Sequence, residues 1–250
     1  MRKPFVAGNW KMNKTIAEGV TLARALAEGL SKDAKADVAV IPPFLAVPAV
    51  AQALKGTPVK VGAQDVFWEA QGAFTGEISA AMLQDAGATF VLCGHSERRH
   101  VIGEPDEIVR RKLDAALKAG LDAILCVGEK LDEREAGLTE KRLDIQVRSG
   151  LTGLAPSHLS RVTVAYEPVW AIGTGKTATT AQAQEAHLFI RKLVRGMFGA
   201  AAADDLRIQY GGSVTAQNAK ELMGQPDVDG ALVGGASLKP ESFLGIIAGA

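Results

Sequence analysis

Arg161-Val162-Thr163-Val164-Ala165-Tyr166-Glu167-Pro168-Val169-Trp170-Ala171-Ile172-Gly173-Thr174-Gly175-Lys176 is the stretch on which the fold turns. Its first six residues are β-branched and aromatic enough to read as a strand buried on both faces, as in a parallel sheet. Glu167 stands at the exit of that strand. Pro168 has no N–H to give, stops strand pairing and stiffens one end of the loop. The glycines that follow offer backbone N–H groups with no side chain in the way, which suits a phosphate. A carboxylate beside a phosphate-gripping loop points to an enzyme that moves a proton on a small phosphorylated substrate.

A parallel strand needs parallel neighbours, and seven more runs of the same kind are present. They are Phe5-Val6-Ala7, Val38-Ala39-Val40-Ile41, Val59-Lys60-Val61-Gly62, Phe90-Val91-Leu92-Cys93, Ala123-Ile124-Leu125-Cys126-Val127, Arg207-Ile208-Gln209-Tyr210 and Ala231-Leu232-Val233. Helix-like segments lie between them, among them 15–30, 105–119, 139–151, 180–198 and 215–223. Thr180 fits an N-cap with Gln184 in the first turn, and Pro105 fits a first helical position. The stretch 199–204 reads as a helix-to-strand connection, and Phe243-Leu244-Gly245-Ile246-Ile247 as a core-facing helical turn. Eight βα units without a break in composition predict an α/β fold. The expected form is a single (β/α)8 barrel of eight parallel strands with surrounding helices, one domain over residues 1–250. An open doubly wound sheet more often has fewer strands and a dinucleotide fingerprint after the first. Here the first strand leads to Gly8-Asn9-Trp10-Lys11, which is not that fingerprint.

Of the 250 residues, 47% are hydrophobic, enough for a substantial core. Lys+Arg and Asp+Glu both number 28, so no global field draws the chain to nucleic acid or an anionic membrane. Met1-Arg2-Lys3 is basic, but the apolar run after it is too short for a signal peptide, and no run has the length of a membrane span. Cys93 and Cys126 lie in apolar strand-like runs and form no metal motif. They read as buried free thiols of a reducing cytosol, and the expected location is cytoplasmic.

The polar residues collect after the strands. Asn9 and Lys11 follow the first, His95 and Glu97 the fourth, Glu167 the sixth, Gly211-Gly212-Ser213 the seventh and Gly234-Gly235 the eighth. In a parallel barrel these positions meet at one mouth, the catalytic face. Two motifs mislead. Gly175-Lys176-Thr177 resembles the end of a P-loop, but Trp170 stands where its first glycine belongs. Gly173-Thr174-Gly175-Lys176-Thr177-Ala178 fits a loose dinucleotide fingerprint, but lies well past its strand.

Asn9-Trp10-Lys11, Gly72-Ala73-Phe74-Thr75-Gly76-Glu77, Gly94-His95-Ser96-Glu97-Arg98-Arg99, Cys126-Val127-Gly128-Glu129, the run from Ala165 to Lys176, Tyr210-Gly211-Gly212-Ser213-Val214 and Leu232-Val233-Gly234-Gly235-Ala236-Ser237-Leu238 together resemble triosephosphate isomerase. The likeness runs in order from about Asn9 to the C-terminus. It implies interconversion of dihydroxyacetone phosphate and glyceraldehyde 3-phosphate through an enediolate, with no metal or organic cofactor. Glu167 is then the base, and shielding from water is expected to raise its pKa. His95, ahead of a short helix, is expected to be neutral and to donate to the substrate oxygens, as in the family it resembles. Lys11 supplies a fixed cation and Asn9 a neutral donor. Glu97 lies near these groups or serves to orient Lys11. The resemblance assigns the phosphate to N–H groups of Gly173, Ser213, Gly234 and Gly235. It makes Pro168, Val169, Trp170, Ala171, Ile172, Gly173, Thr174, Gly175 and Lys176 a lid. Another barrel isomerase acting on a sugar phosphate would keep the phosphate glycines and change Lys11, His95 and Glu167. A non-catalytic homologue should have lost a catalytic group, and none is missing.

The remaining charged residues have plainer readings. His158 and His187 are surface or packing residues, and His100 has no role assigned. Arg98 and Arg99 are expected in structural ion pairs, with Glu104 a partner, and Glu129 is expected to be structural. The segment 64–79 is long for a connection and carries Val66-Phe67-Trp68 and Phe74, which suggests a partner surface. By resemblance, Thr75 enters a neighbouring subunit near its Lys11 and His95, implying a homodimer, with a tetramer as a further form. Gln64-Asp65 departs from the Gln-Asn often found there, so the loop contacts around position 65 are expected to differ.

Overall fold

The computed structural model describes residues 2–250; Met1, the first residue of the expected domain, lies outside them. The strands are β1 (Phe5–Asn9), β2 (Asp37–Ile41), β3 (Val59–Ala63), β4 (Phe90–Cys93), β5 (Asp122–Val127), β6 (Val162–Tyr166), β7 (Arg207–Tyr210) and β8 (Gly230–Val233). Each pairs in parallel with the next, and β1 pairs with β8 from Phe5↔Gly230 to Gly8↔Val233, so the sheet closes. The predicted (β/α)8 barrel is the fold observed. Alternate strand residues fill the barrel, with Phe5, Ala7, Ala39, Ile41, Phe90 and Leu92 among them. The others face the helices, where Val6, Val38, Val40 and Val164 join the outer core. Burial on both faces is why the strands read as continuous apolar runs.

The helices are α1 (Ile16–Gly29), α2 (Val47–Ala53), α3 (Ala80–Asp85), α4 (Asp106–Ala119), α5 (Leu131–Glu135), α6 (Thr139–Leu151), α7 (Pro156–Leu159), α8 (Thr180–Phe198), α9 (Ala200–Asp205), α10 (Ala219–Met223) and α11 (Pro240–Ile247). Among the described residues none is long and apolar enough to cross a membrane. Phe243 and Ile246 of α11 are buried, as expected of that turn.

Several helix starts differ from the sequence reading. α8 is capped by Thr179, not Thr180, because the reciprocal cap needs a partner three residues on. Gln182 supplies it: its N–H donates to Thr179 Oγ1 at 3.1 Å, and its Oε1 accepts from the Thr179 N–H at 2.9 Å. Thr15 caps α1 in the same way with Glu18. Pro105 is the extended cap residue of α4 rather than its first helical residue. The expected connection after Gly199 is mostly helix α9, since a run of alanines has the highest helix propensity and Ala203 buries itself. The helix expected over 215–223 is confined to α10. Ahead of it, Asn218 Oδ1 accepts from the Thr215 N–H at 2.8 Å and holds a turn instead.

Candidate active site

The ends of β1, β4, β6, β7 and β8 surround a cleft of about 320 Å³. Asn9, Lys11, His95, Glu167, Gly173, Ser213, Gly234 and Gly235 all line it. At the end of β1, Asn9 Oδ1 accepts from the Lys11 N–H at 3.0 Å. Lys11 is in the left-handed region at φ 53°, uncommon for a residue with a side chain. The Gln64 amide donates to the Lys11 carbonyl at 2.7 Å and to the Ile41 carbonyl at 3.1 Å, which fixes the turn against β2. From there the Lys11 ammonium reaches Glu97 Oε1 at 2.6 Å. Glu97 does not line the cleft; it orients Lys11.

After β4, Gly94 takes φ 73° and a helical turn begins at Ser96. The Glu97 N–H donates to His95 Nδ1 at 3.3 Å, and the Glu97 carboxylate stays 3.6 Å from that nitrogen, beyond hydrogen-bond range. An accepting Nδ1 carries no proton. The network therefore assigns the proton of a neutral imidazole to Nε2. That Nε2 lies 3.0 Å from Glu167 Oε1.

Glu167 is buried at 2% exposure. Its Oε2 accepts from the Ser96 N–H at 2.9 Å, and its Oε1 from the Ser96 hydroxyl at 3.4 Å. Glycines just after the neighbouring strands make room for it. A Cβ at Gly211 would come within 2.8 Å of its Cγ, and one at Gly128 within 1.7 Å of its carbonyl oxygen. The raised pKa expected from shielding is overturned. Burial is the largest influence and pushes the carboxyl up. Contacts with His95, the Ser96 N–H and the nearby Lys11 ammonium together pull harder and hold it below its usual range.

On the far side of the cleft, Gly234 precedes the short turn Gly235–Leu238. A Cβ at 234 would meet Lys11 Cε at 3.3 Å, so the glycine leaves space for the lysine stem. The loop 168–176 starts with a turn at Val169–Ala171, and Gly173 and Gly175 both have positive φ. Its near arm is tethered to Glu129. That carboxylate accepts from Trp170 Nε1 at 2.9 Å and from the Tyr166 hydroxyl at 3.0 Å, and the Glu129 carbonyl accepts from the Val169 N–H. The tip from Gly173 to Lys176 is exposed.

Phe74 and Thr75 are exposed and do not line the chain's own cleft. Phe74 stacks at 4.7 Å on Phe67, which stacks at 4.0 Å on Trp68. Asp65 is buried, with the Lys112 ammonium 2.7 Å and the Arg98 guanidinium 3.0 Å away. Both cations also bond Glu104, as expected for Arg98, while Arg99 pairs with Asp106 at 2.5 Å. At position 65 the carboxylate thus ties the long loop to the His95 segment. Cys93 and Cys126 are free and buried, and burial pushes both thiols up. His187 is a packing residue, edge-on to Tyr166 at 5.8 Å.

The sequence reading gave Ser96 and Gln64 no part in the site and placed Gly211 at the mouth without a role of its own. Ser96 and Gly211 stood inside motifs it had quoted, but their roles depend on what lies across the barrel. Glu129 was expected to be structural, and its carboxylate holds Trp170 and Tyr166 at the near arm of the loop.

A profile described as triosephosphate isomerase matches residues 4–250. The triosephosphate isomerase of Carboxydothermus hydrogenoformans is 55% identical over 249 residues, covering 100% of this chain and 99% of that protein. That of Chloroherpeton thalassium is 54% identical, covering 99% of this chain and 98% of its own length. That of Citrifermentans bemidjiense is 55% identical with the same coverage.

Proposed function

The chain belongs to the triosephosphate isomerase family, and from that premise we infer that it interconverts dihydroxyacetone phosphate and D-glyceraldehyde 3-phosphate through an enediolate. The observation that carries the division of labour is the 3.0 Å approach of His95 Nε2 to Glu167 Oε1 inside the glycine-lined cleft. Glu167 takes the proton from one carbon and returns it to the next. Its bond to the Ser96 N–H is a resting contact, which it exchanges for the substrate carbon. Neutral His95 donates from Nε2 to the substrate oxygens. Lys11, oriented by Glu97, stabilises the negative charge of the enediolate, and Asn9 fixes the Lys11 turn. N–H groups of Gly173, Ser213, Gly234 and Gly235 take the phosphate, whose binding closes the lid 168–176. Residues 1–250 act as one barrel domain.

The active form we infer is a homodimer. β1 to β4 are consecutive in the barrel, and the segments after them carry Met12, Leu45, Phe74, Val101 and Ile102, all exposed. Met12 is 96% and Leu45 82% exposed, a poor arrangement for a monomer in water. That half of the mouth borders Lys11 and His95, so a second copy seated there brings its Thr75 to them. We place the enzyme in the cytoplasm, consistent with a glycolytic substrate and two buried free thiols.

A coupled assay with glyceraldehyde 3-phosphate tests the reading, with competition by 2-phosphoglycolate, whose carboxylate and phosphate resemble the enediolate. Glu167→Asp withdraws the base by one methylene. We expect turnover to fall about a hundredfold with a smaller change in KM. Unchanged turnover would exclude Glu167 as the base, and activity only on other sugar phosphates would exclude the substrate.

A further inference from the structure

At the opposite end of the barrel the strand starts open on a second cavity. At about 390 Å³ it is larger than the catalytic cleft of about 320 Å³. No histidine or glycine lines it, so it does not compete for the isomerase chemistry. Its volume is within the roughly 300–1,000 Å³ of small-molecule sites. Phe5 and Phe90, edge to face at 5.7 Å, give it an apolar floor with Ile124. Leu159 of α7, Phe198 of α8 and Ala202 of α9 close the side.

The rim carries Lys60, Arg161 and Arg207 against Asp122 and Asp205. Arg161 is bonded to Asp122 at 3.1 Å. Arg207 is bonded to Asp37 at 2.9 Å, with its guanidinium 4.8 Å above the Phe5 ring. Lys60 differs: it lines the cavity and makes no ion pair among the described residues. The Thr163 hydroxyl, on a residue 4% exposed, also lines the cavity without a protein partner among them. Of the two acids on the rim, Asp122 is held by Arg161, and Asp205, at the exposed outer end of α9, is the opposing charge.

We propose that this cavity binds a small amphiphilic monocarboxylate, its hydrocarbon on the Phe5–Phe90 floor and its carboxylate at Lys60. An apolar floor alone would accept any hydrocarbon. Lys60, with no acid of its own, selects the anion, because a paired cation has less to gain from a new one. If Asp205 dictated the headgroup instead, the preferred amphiphile would be a cation.

Calorimetric titration with octanoate and with octylammonium separates these cases. Both are run with the catalytic cleft filled by 2-phosphoglycolate, and again without it. One octanoate should bind per chain in either condition, at least about tenfold more tightly than octylammonium. Lys60→Met keeps the stem and removes the charge, and should weaken octanoate about tenfold, near 1.4 kcal/mol. Ala202→Phe should fill the cavity and abolish binding. Both variants should keep wild-type isomerase activity, which shows that they are folded. Non-saturable octanoate, octylammonium binding as tightly, or a Lys60→Met variant that binds octanoate undiminished would each overturn the proposal.

Discussion

A methyl group at position 211 would lie 2.8 Å from Cγ of Glu167. Gly211 carries no functional group, so its part in the site is the space it leaves. We expect Gly211→Ala to fold and to lose on the order of tenfold to a hundredfold in kcat with little change in KM, because the base is moved and the phosphate contacts are not. Steady-state kinetics beside a wild-type circular dichroism spectrum check this. His187 makes a second prediction. Its Nδ1 lies 3.1 Å from the Asp227 carbonyl, and burial pushes its pKa from 6.5 down to about 4. A depressed histidine is neutral in the fold, so its contribution is present above 6.5 and is lost as pH falls toward 4. That loss is on the order of 2–3 kcal/mol. The stability difference between wild type and His187→Gln should therefore shrink by that order between pH 7 and pH 4.5 in denaturant unfolding. A constant difference would sink the assignment. Glu167, His95 and Lys11 were legible because their residue types suit the chemistry and sit in specific motifs. Gln64 and Gly211 were not, because one acts through a backbone carbonyl fifty-three positions away and the other through absent atoms.

The proposed lid is an element whose near arm and tip are held differently. Its near arm is anchored to Glu129 through Trp170 and Val169, while its tip is exposed and turns on two glycines with positive φ. Such a loop can swing its tip about an anchored near arm. We expect deletion of Ile172-Gly173-Thr174-Gly175 to lower turnover severely. Part of the substrate should then leave as methylglyoxal and inorganic phosphate, because an uncovered enediolate is free to expel its phosphate. Product analysis decides: a folded but slow variant with no extra methylglyoxal would deny the lid a protective role. Among the elements, all eight strands could be read in advance, since burial on both faces writes itself as an apolar run. Helix boundaries were less legible. Thr179 and Thr180 are chemically identical, and only the partner three residues on distinguishes them. α9 was hidden because a run of alanines after a glycine reads equally as linker and as helix.

At the scale of the molecule, the mouth is divided. The segments after β1 to β4 expose apolar side chains, and those after β6 to β8 carry Glu167, the loop 168–176, Ser213 and Gly234-Gly235, the proposed base, lid and phosphate groups. Lys11 and His95 stand on the boundary, so assembly and activity should fail together. Phe74→Glu places a charge on a side chain stacked at 4.7 Å on Phe67 and exposed at its outer face. We expect this variant to sediment as a monomer and to retain a small fraction of wild-type activity. A fully active monomer would break the link between the two. This division was legible only in part. The apolar character of the 64–79 loop was visible in its own residues. That Met12, Leu45 and Ile102 share its half of the mouth follows from strand order around a closed sheet, which no local pattern states.

Closure of the sheet also shapes how the chain is made. β1 leaves the ribosome first and β8 last, yet they are neighbours. Until Gly230–Val233 emerges, β1 and β7 each present an unsatisfied edge, a template for pairing with other nascent chains. The barrel cannot be finished by instalments, and its last pairing spans nearly the whole polypeptide, the kind of contact that forms slowly. A translation product halted shortly before residue 230 would hold almost the entire core and still be adhesive at both edges. The chain is thus most in need of chaperone protection until β8 can reach β1.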